Sequence, residues 1–348
     1  MNGDIMQAEK HYNIMTSCDE KLLAQMSVLI YSISANLNDA VTDFYLLHRG
    51  IDSSRLGKID ALCRKLDNVI FHSIVVPDVQ NYDFLASYGG SWAGEAYFSL
   101  CAHTVLPESI DRILYVDAGD VMVTGDIADF YHYDFGGRTL IVHPARWKIQ
   151  NDALVEFEPS DLKKTDGEDS VWGIVRGLFN SGSYMMNIKK MREDGLSMEF
   201  YFDVVDRLKK ICGAGRQNLY WGDQGLLSAA FVGDIRCYRS DEIRNIWYMP
   251  YNFCLWYYRT IPIKPAYRPA VVHFVPDAKP WQVKYPVYTK RFQEGYELIS
   301  IEDLKTGMAE WYYLWHEYAV LADRMLECLE DRKDFLKSRI SPGKTARS

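Results

Sequence analysis

The stretch Arg112-Ile-Leu-Tyr-Val-Asp-Ala-Gly-Asp-Val-Met-Val123 decides how the rest of the chain is read. Its apolar run, Ile113 to Val116, predicts a short buried strand. The strand ends in two carboxylates, Asp117 and Asp120, before the chain returns to apolar residues. A core has no use for two acids there, because desolvating an unpaired carboxylate costs on the order of several kcal/mol. A divalent cation is the usual compensation, and hard oxygen ligands suit Mn²⁺ or Mg²⁺. In open α/β sheets, ligands sit just beyond the carboxyl ends of the strands. The stretch therefore reads as a metal and phosphate site at the edge of a nucleotide pocket.

Outward from it, strands and helices alternate. Strands are expected at Tyr12 to Cys18, Val41 to His48, Val69 to Val76, Leu140 to His143, Ser183 to Ile188, Ile235 to Tyr238 and Val271 to Phe274. Helices are expected at Leu22 to Leu37, Asp52 to Leu66, Ala93 to Leu106, Leu196 to Ile211, and from Asp223 to Phe231. This alternation predicts an α/β fold, with a mostly parallel sheet covered by helices on both faces. Lys148 to Ser170 is polar and acidic and reads as a loop over the site, and Ile246 to Tyr258 is rich in Tyr and Trp. Neither GxGxxG nor GxxxxGK[ST] occurs, which disfavours a dinucleotide fold of the usual kind and a P-loop enzyme.

Composition narrows the class. The chain has 348 residues, 48% of them hydrophobic, enough to fill a large core. Its seven cysteines stand singly and form no CxxC, which argues for a reducing compartment and against a zinc or disulfide framework. The start MNGDIMQAEKHYN does not read as a signal peptide, and no apolar run reaches the ~18 residues of a membrane span. A net charge of −8 disfavours nucleic acid as a partner.

Several segments, in this order and spacing, resemble the family 8 glycosyltransferases. They are Ser17-Cys18-Asp19 after the first strand, Tyr97-Phe98, Leu114 to Asp120, Phe179-Asn180-Ser181-Gly182, Asp223-Gln224, and His273 to Trp281 with its Lys279-Pro280-Trp281. The resemblance covers roughly residues 10–285. It implies a GT-A fold, a Rossmann-like sheet as the catalytic domain over 1–300, and a helical, basic-ended tail over 301–348. It also implies a retaining hexosyltransferase that uses a UDP-sugar donor, UDP-glucose or UDP-galactose, with Mn²⁺ or Mg²⁺. The acceptor would be a glycan or lipid-linked sugar, with lipopolysaccharide or another cell-surface glycan as the setting.

Carried over residue by residue, the resemblance assigns the metal to Asp117, Asp120 and His273. The strict DxD position is Gly119, so Asp120 must regain the site by a one-residue bulge, for which glycine provides the backbone freedom. Lys279 would meet the donor phosphates as a mobile point charge. Asp19, with Ser17 beside it, would accept the uracil N3–H, or else cap the following helix. Tyr97 would pack near the base or sugar, or else belong to the core. Asn180, Asp223 and Gln224 would hold the donor sugar and border the reacting carbon. Whether retention proceeds by front-face attack or double displacement stays open at this level.

Three departures from the family pattern, Gly119, Ser99 where Arg is usual and Pro276 where Gly is usual, motivate a second reading: a sugar-nucleotide-binding protein that has lost catalysis. A third is a self-glucosylating, glycogenin-like primer, for which the 24 tyrosines offer acceptors. After residue 306, Trp311, Trp315, Tyr318, Ala322, Met325, Leu329 and Leu336 fall near helical spacing. The segment ends in six basic residues (Arg332, Lys333, Lys337, Arg339, Lys344, Arg347) against one acid, Asp334. Such a helix packs on the main domain or on another subunit, or meets an anionic membrane surface. The expected location is the cytoplasm, with peripheral contact at the inner membrane face through this tail. Oligomeric state is not legible.

Overall fold

The computed structural model describes residues 10–144, 149–150, 153–154, 168–213, 217–238, 252–254, 269–275, 278–285, 290–303 and 309–340. The chain opens with three strand–helix units. Strand β1 (Lys10–Ser17) leads to the helix Leu23–Asn36, β2 (Ala40–His48) to Ser53–Leu66, and β3 (Val69–Val75) to Val79–Ala86. Asp52 caps the second helix by accepting from Ser54 N–H at 2.8 Å. Then come β4 (Arg112–Val116), β5 (Val121–Val123) and β6 (Leu140–Pro144). The two-residue strands β7 (Ile149–Gln150) and β8 (Ala153–Leu154) form a small antiparallel pair. The rest of the expected loop over 148–170 lies outside the described residues, up to the helix Glu168–Val175. Next are β9 (Phe179–Asn187), the helices Ile188–Glu193, Met198–Cys212 and Gly222–Ala230, and β10 (Ile235–Cys237). After these come β11 (Asn252–Cys254), β12 (Val271–His273) and a C-terminal helix, Ala309–Ile340.

The main sheet has the order β10-β6-β9-β4-β1-β2-β3. Its pairings are parallel except at β9, which runs antiparallel to both β4 and β6. The apolar faces of β4 and β1 bury Ile113, Leu114, Ile14 and Met15 completely. One core packs the Met198–Cys212 and Gly222–Ala230 helices on one face; a second packs Leu23–Asn36 and Ser53–Leu66 on the other. The helix-covered, mostly parallel α/β sheet expected from the alternation is thus present, in a GT-A-like arrangement. A small second sheet, β11-β12-β5, lies beyond the end of β4.

Two local expectations need correction. Ala93 to Leu106 is not one α-helix: Gly94–Cys101 is a 3₁₀ helix, followed by a single α-turn, Ala102–Val105. Nearly every side chain of the 3₁₀ segment is buried, so tertiary packing overrides its α-helical propensity. The strand expected from Ser183 begins earlier, at Phe179, because Phe179 pairs with Pro144 across a bulge in the β6 ladder.

The C-terminal helix packs on the body over its first half. Tyr312, Trp315, Ala319 and Ala322 are buried at helical spacing, and a third core joins the first three to Phe274, Trp281 and Phe292. Asn36 donates to Tyr318 Oη at 2.9 Å, and Lys65 Nζ to the Met325 carbonyl at 2.8 Å. The side chains of its basic end, and residues 341–348, lie outside the described residues. No helix among the described residues is long and apolar enough to cross a membrane.

Candidate metal centre

The site forms where the main sheet hands over to the small one. Asp117 follows β4 directly, and its N–H bonds the Gly182 carbonyl of β9 at 3.0 Å. A turn over 118–120 leads into β5. There His273 pairs with Val121 in the β12–β5 ladder, and Phe274 N–H bonds the Asp120 carbonyl at 2.8 Å. This register sets residues far apart in sequence face to face. One ligand atom each from Asp117, Asp120 and His273 lies within 4.8 Å of the others. His273 Nε2 is 3.7 Å from Asp117 Oδ2 and 3.7 Å from Asp120 Oδ1. These separations are too long for hydrogen bonds. Ligands about 2.1 Å from one cation stand roughly 3 Å or more apart in an octahedral set, so two carboxylate oxygens and an imidazole nitrogen fit a divalent cation.

Gly119 serves this arrangement differently from the expectation. It does not adopt the left-handed backbone that only glycine takes easily. A Cβ there would stand 3.1 Å from Trp281 Cη2 and 3.3 Å from Leu22 Cδ2, so the residue is small because Trp281 presses on the turn. Asp120 joins the site through that turn rather than through a bulge freed by glycine. Gly182 is confined more severely: a Cβ would lie 2.1 Å from His273 Cε1.

Asn180 orients the imidazole. Its Oδ1 accepts from Gly182 N–H at 3.1 Å and stands 2.7 Å from His273 Nδ1. An amide oxygen only accepts, so Nδ1 carries a proton and Nε2 is the ring nitrogen turned toward the carboxylates. Tyr115 was not singled out in the sequence. Its hydroxyl donates to Asp117 Oδ1 at 3.1 Å and lies 3.2 Å from Ser17 Oγ. The signal was there: it stands on β4 two residues before Asp117, the spacing that puts side chains on one face of an extended chain.

Charge at this edge is unbalanced. Loss of water, reinforced by Asp120, pushes the Asp117 carboxyl up to about 7. Burial alone would raise Asp120 too, but the Lys279 ammonium and His273 hold it well below the usual carboxylate range. Lys279 Nζ pairs with Asp120 Oδ2 at 2.5 Å and donates to the Phe274 carbonyl at 2.9 Å. Asp223 is buried at the start of the Gly222–Ala230 helix; burial raises it to about 6, although Ser181 Oγ donates to it at 3.2 Å. Gln224 is engaged at both ends of its amide, donating to the Arg176 carbonyl at 2.7 Å and accepting from Ser181 N–H at 3.4 Å.

The remaining singled-out residues take varied places. Asp19 caps the turn after β1, accepting from Lys21 N–H at 2.9 Å, and its side chain is part-exposed. Ser17 is buried beside Tyr115. Tyr97 is fully buried, its ring centroid 6.4 Å from that of Tyr220, so it belongs to the core and presents no face to a ligand. Ser99 is fully buried and accepts from Tyr184 Oη at 2.8 Å. Pro276 lies outside the described residues.

Residues 13–284 match the family model for glycosyl transferase family 8. A lipopolysaccharide 1,2-glucosyltransferase of Escherichia coli (strain K12) is 25% identical over 186 residues, 53% of this chain and 50% of that protein. Glycosyltransferase GlyE of Streptococcus pneumoniae is 25% identical over 207 residues, 58% of this chain and 40% of that protein. The chain thus spans half or less of the length of these curated relatives. Among solved structures, the galactosyltransferase LgtC, crystallised with donor and acceptor sugar analogues, superposes with a TM-score of 0.57 at 19% identity. That match covers 88% of this chain and 95% of LgtC. The fold is therefore that of the GT-A glycosyltransferases, and with the family model matching most of its length, this chain belongs to glycosyl transferase family 8.

Proposed function

We propose that the protein is a divalent-metal-dependent, retaining hexosyltransferase, moving glucose or galactose from a UDP-sugar to a glycan or lipid-linked acceptor in cell-surface polysaccharide synthesis. The observation that carries this reading is the meeting of Asp117, Asp120 and His273 within 4.8 Å at the end of β4. A cation bound there supplies the positive charge that a departing diphosphate needs. The residues of the chain do the rest. Asn180 keeps His273 Nε2 aimed at the carboxylates, and Tyr115 fixes one oxygen of Asp117. Lys279 is the second positive charge at this edge and reaches the diphosphate as its ammonium releases Asp120. Asp223 and Gln224 present a carboxylate and an amide to the donor sugar, from a helix start whose backbone is locked to β9 and to Arg176. Asp19 and Ser17, at the end of β1, face the base.

Calorimetric titration of UDP with and without Mn²⁺, followed by UDP release from a panel of UDP-sugars, tests the reading. Mn²⁺-dependent binding and release from one sugar are expected. Asp117→Asn should cut release by roughly a thousandfold while the protein stays folded. Release that persists in this variant at unchanged Mn²⁺ dependence would remove Asp117 from the metal site. UDP binding without release from any sugar would favour the binding-protein reading.

A further inference from the structure

The loop that carries Lys279 is held from behind by the C-terminal helix. This loop runs over 278–283 and contains a 3₁₀ turn, Pro280–Gln282. Within it, Lys279 N–H donates to the Gln282 side chain at 2.8 Å, and Gln282 N–H bonds the Lys279 carbonyl at 2.8 Å. The helix Ala309–Ile340 adds a contact on either side of Lys279. Tyr312 Oη donates to the Ala278 carbonyl at 3.0 Å, across 34 residues of sequence. Trp315 lies against Trp281, with ring centroids 6.1 Å apart, and Trp281 is the residue that presses on the turn at Gly119. The Tyr312 ring also meets Phe274 edge-on, centroids 5.0 Å apart, and the Phe274 carbonyl accepts the Lys279 ammonium at 2.9 Å. One buried side chain thus touches both anchors of the lysine: the peptide at its root and the residue under its tip. Burying an apolar stripe needs no hydroxyl there, since phenylalanine fills the same space. A buried hydroxyl is costly unless bonded, and the loop is what this one bonds.

We propose that Tyr312 is a positioning residue for Lys279, and that the C-terminal helix is through it a working part of the donor site. A lysine is a point charge on a flexible four-carbon stem. Its ammonium can leave Asp120 for a diphosphate with the right aim only if the root of the stem stays still. Tyr312 fixes that root through the Ala278 carbonyl, and it backs Phe274, whose carbonyl holds the ammonium at rest. Trp315 supports the same loop by packing alone, through Trp281. The role toward the diphosphate rests on the reading of Lys279 given above; the bracing of the loop does not.

The test compares the full chain with Tyr312→Phe, Lys279→Met and the double variant. Tyr313→Phe, which removes a hydroxyl from an exposed neighbour on the same helix, is the control. Amide hydrogen exchange is followed by peptide, and UDP is titrated calorimetrically in the presence of Mn²⁺. Tyr312→Phe keeps the ring and loses only the hydrogen bond, so exchange over 278–283 should quicken about fivefold while β1 and β4 stay as protected as before. UDP should bind about fivefold more weakly to Tyr312→Phe and about tenfold more weakly to Lys279→Met. The double variant should be no weaker than Lys279→Met alone, because a residue that acts through Lys279 has nothing left to act on. Tyr313→Phe should move neither quantity. Unchanged exchange over 278–283 in Tyr312→Phe would overturn the brace. Faster exchange across the whole sheet, or losses that multiply in the double variant, would mark a purely structural tyrosine and overturn the positioning role. A wild type that binds no UDP would remove the diphosphate role of Lys279 together with the transferase reading; faster exchange confined to 278–283 would then still uphold the brace.

Discussion

The two ends of the main sheet carry charge in opposite ways. Across the first halves of β1 and β2 and the middle of β3, charges meet partners near the surface. Lys10 pairs with Asp39 at 2.6 Å, and Asp43 takes His11 and His72 at 2.5 Å each. At the other end, among the described residues, Lys279 pairs with Asp120, while Asp117 and Asp223 have only His273 to offset their charge. Exposed pairs of the first kind are worth little, because water screens them. The second arrangement costs stability, and burial raises two of its carboxyls, to about 7 and about 6. An unbalanced cluster at a strand end marks a place where an external cation belongs; a balanced one is surface chemistry.

The contrast can be broken by mutation. After Asp117→Asn, the largest effect should come from Asn180→Ala, which frees the imidazole: Mn²⁺ affinity should fall about 10–100-fold in a calorimetric titration, with the fold retained. An unchanged affinity would mean that the ladder alone orients His273.

Asp223→Asn should act on stability through pH. The folded pKa of Asp223, about 6, is raised above its ordinary carboxylate value. Its contribution is therefore fully present at acid pH and is lost as pH rises through about 6, where the buried group must ionise. The variant should thus be more stable than the wild type at pH 8, by roughly 1–3 kcal/mol. The gap should close toward pH 4 in thermal melts. A gap that does not vary with pH would place the cost in shape rather than charge.

Lys279→Met sharpens the comparison by moving two quantities in opposite directions. Without the ammonium, Asp120 is left for a cation, so Mn²⁺ alone should bind about tenfold more tightly, while UDP binds about tenfold more weakly. Parallel losses in both would show that Lys279 holds the turn in place and does not compete with the cation. The smallest effect belongs to the far end: Asp43→Asn should change stability by no more than about 1 kcal/mol and leave Mn²⁺ binding unaltered.

Local pattern carried much of this. Apolar runs and helical spacing located most strands and helices, because each depends on neighbours a few residues away. Asp19 was legible as a cap for the same reason. Gly94–Cys101 was not, since its winding is set by what surrounds it. At the site, two carboxylates at a strand end were enough to name Asp117 and Asp120 as candidates, and the resemblance to the family added His273 and Asn180.

The sequence by itself determined the class of fold and the chemical kinds present at the end of β4. Only the tertiary structure decided how they meet: that a turn under Trp281 brings Asp120 into the site, that Asn180 holds His273, that Lys279 rests on Asp120, and that Tyr97 is sealed in the core. It also decided that Tyr312, 34 residues along the chain from Ala278, bonds the loop that carries Lys279. Period and capping are local and can be read along the chain, whereas these contacts depend on the register of strands and on backbone approaches between segments separated by scores of residues.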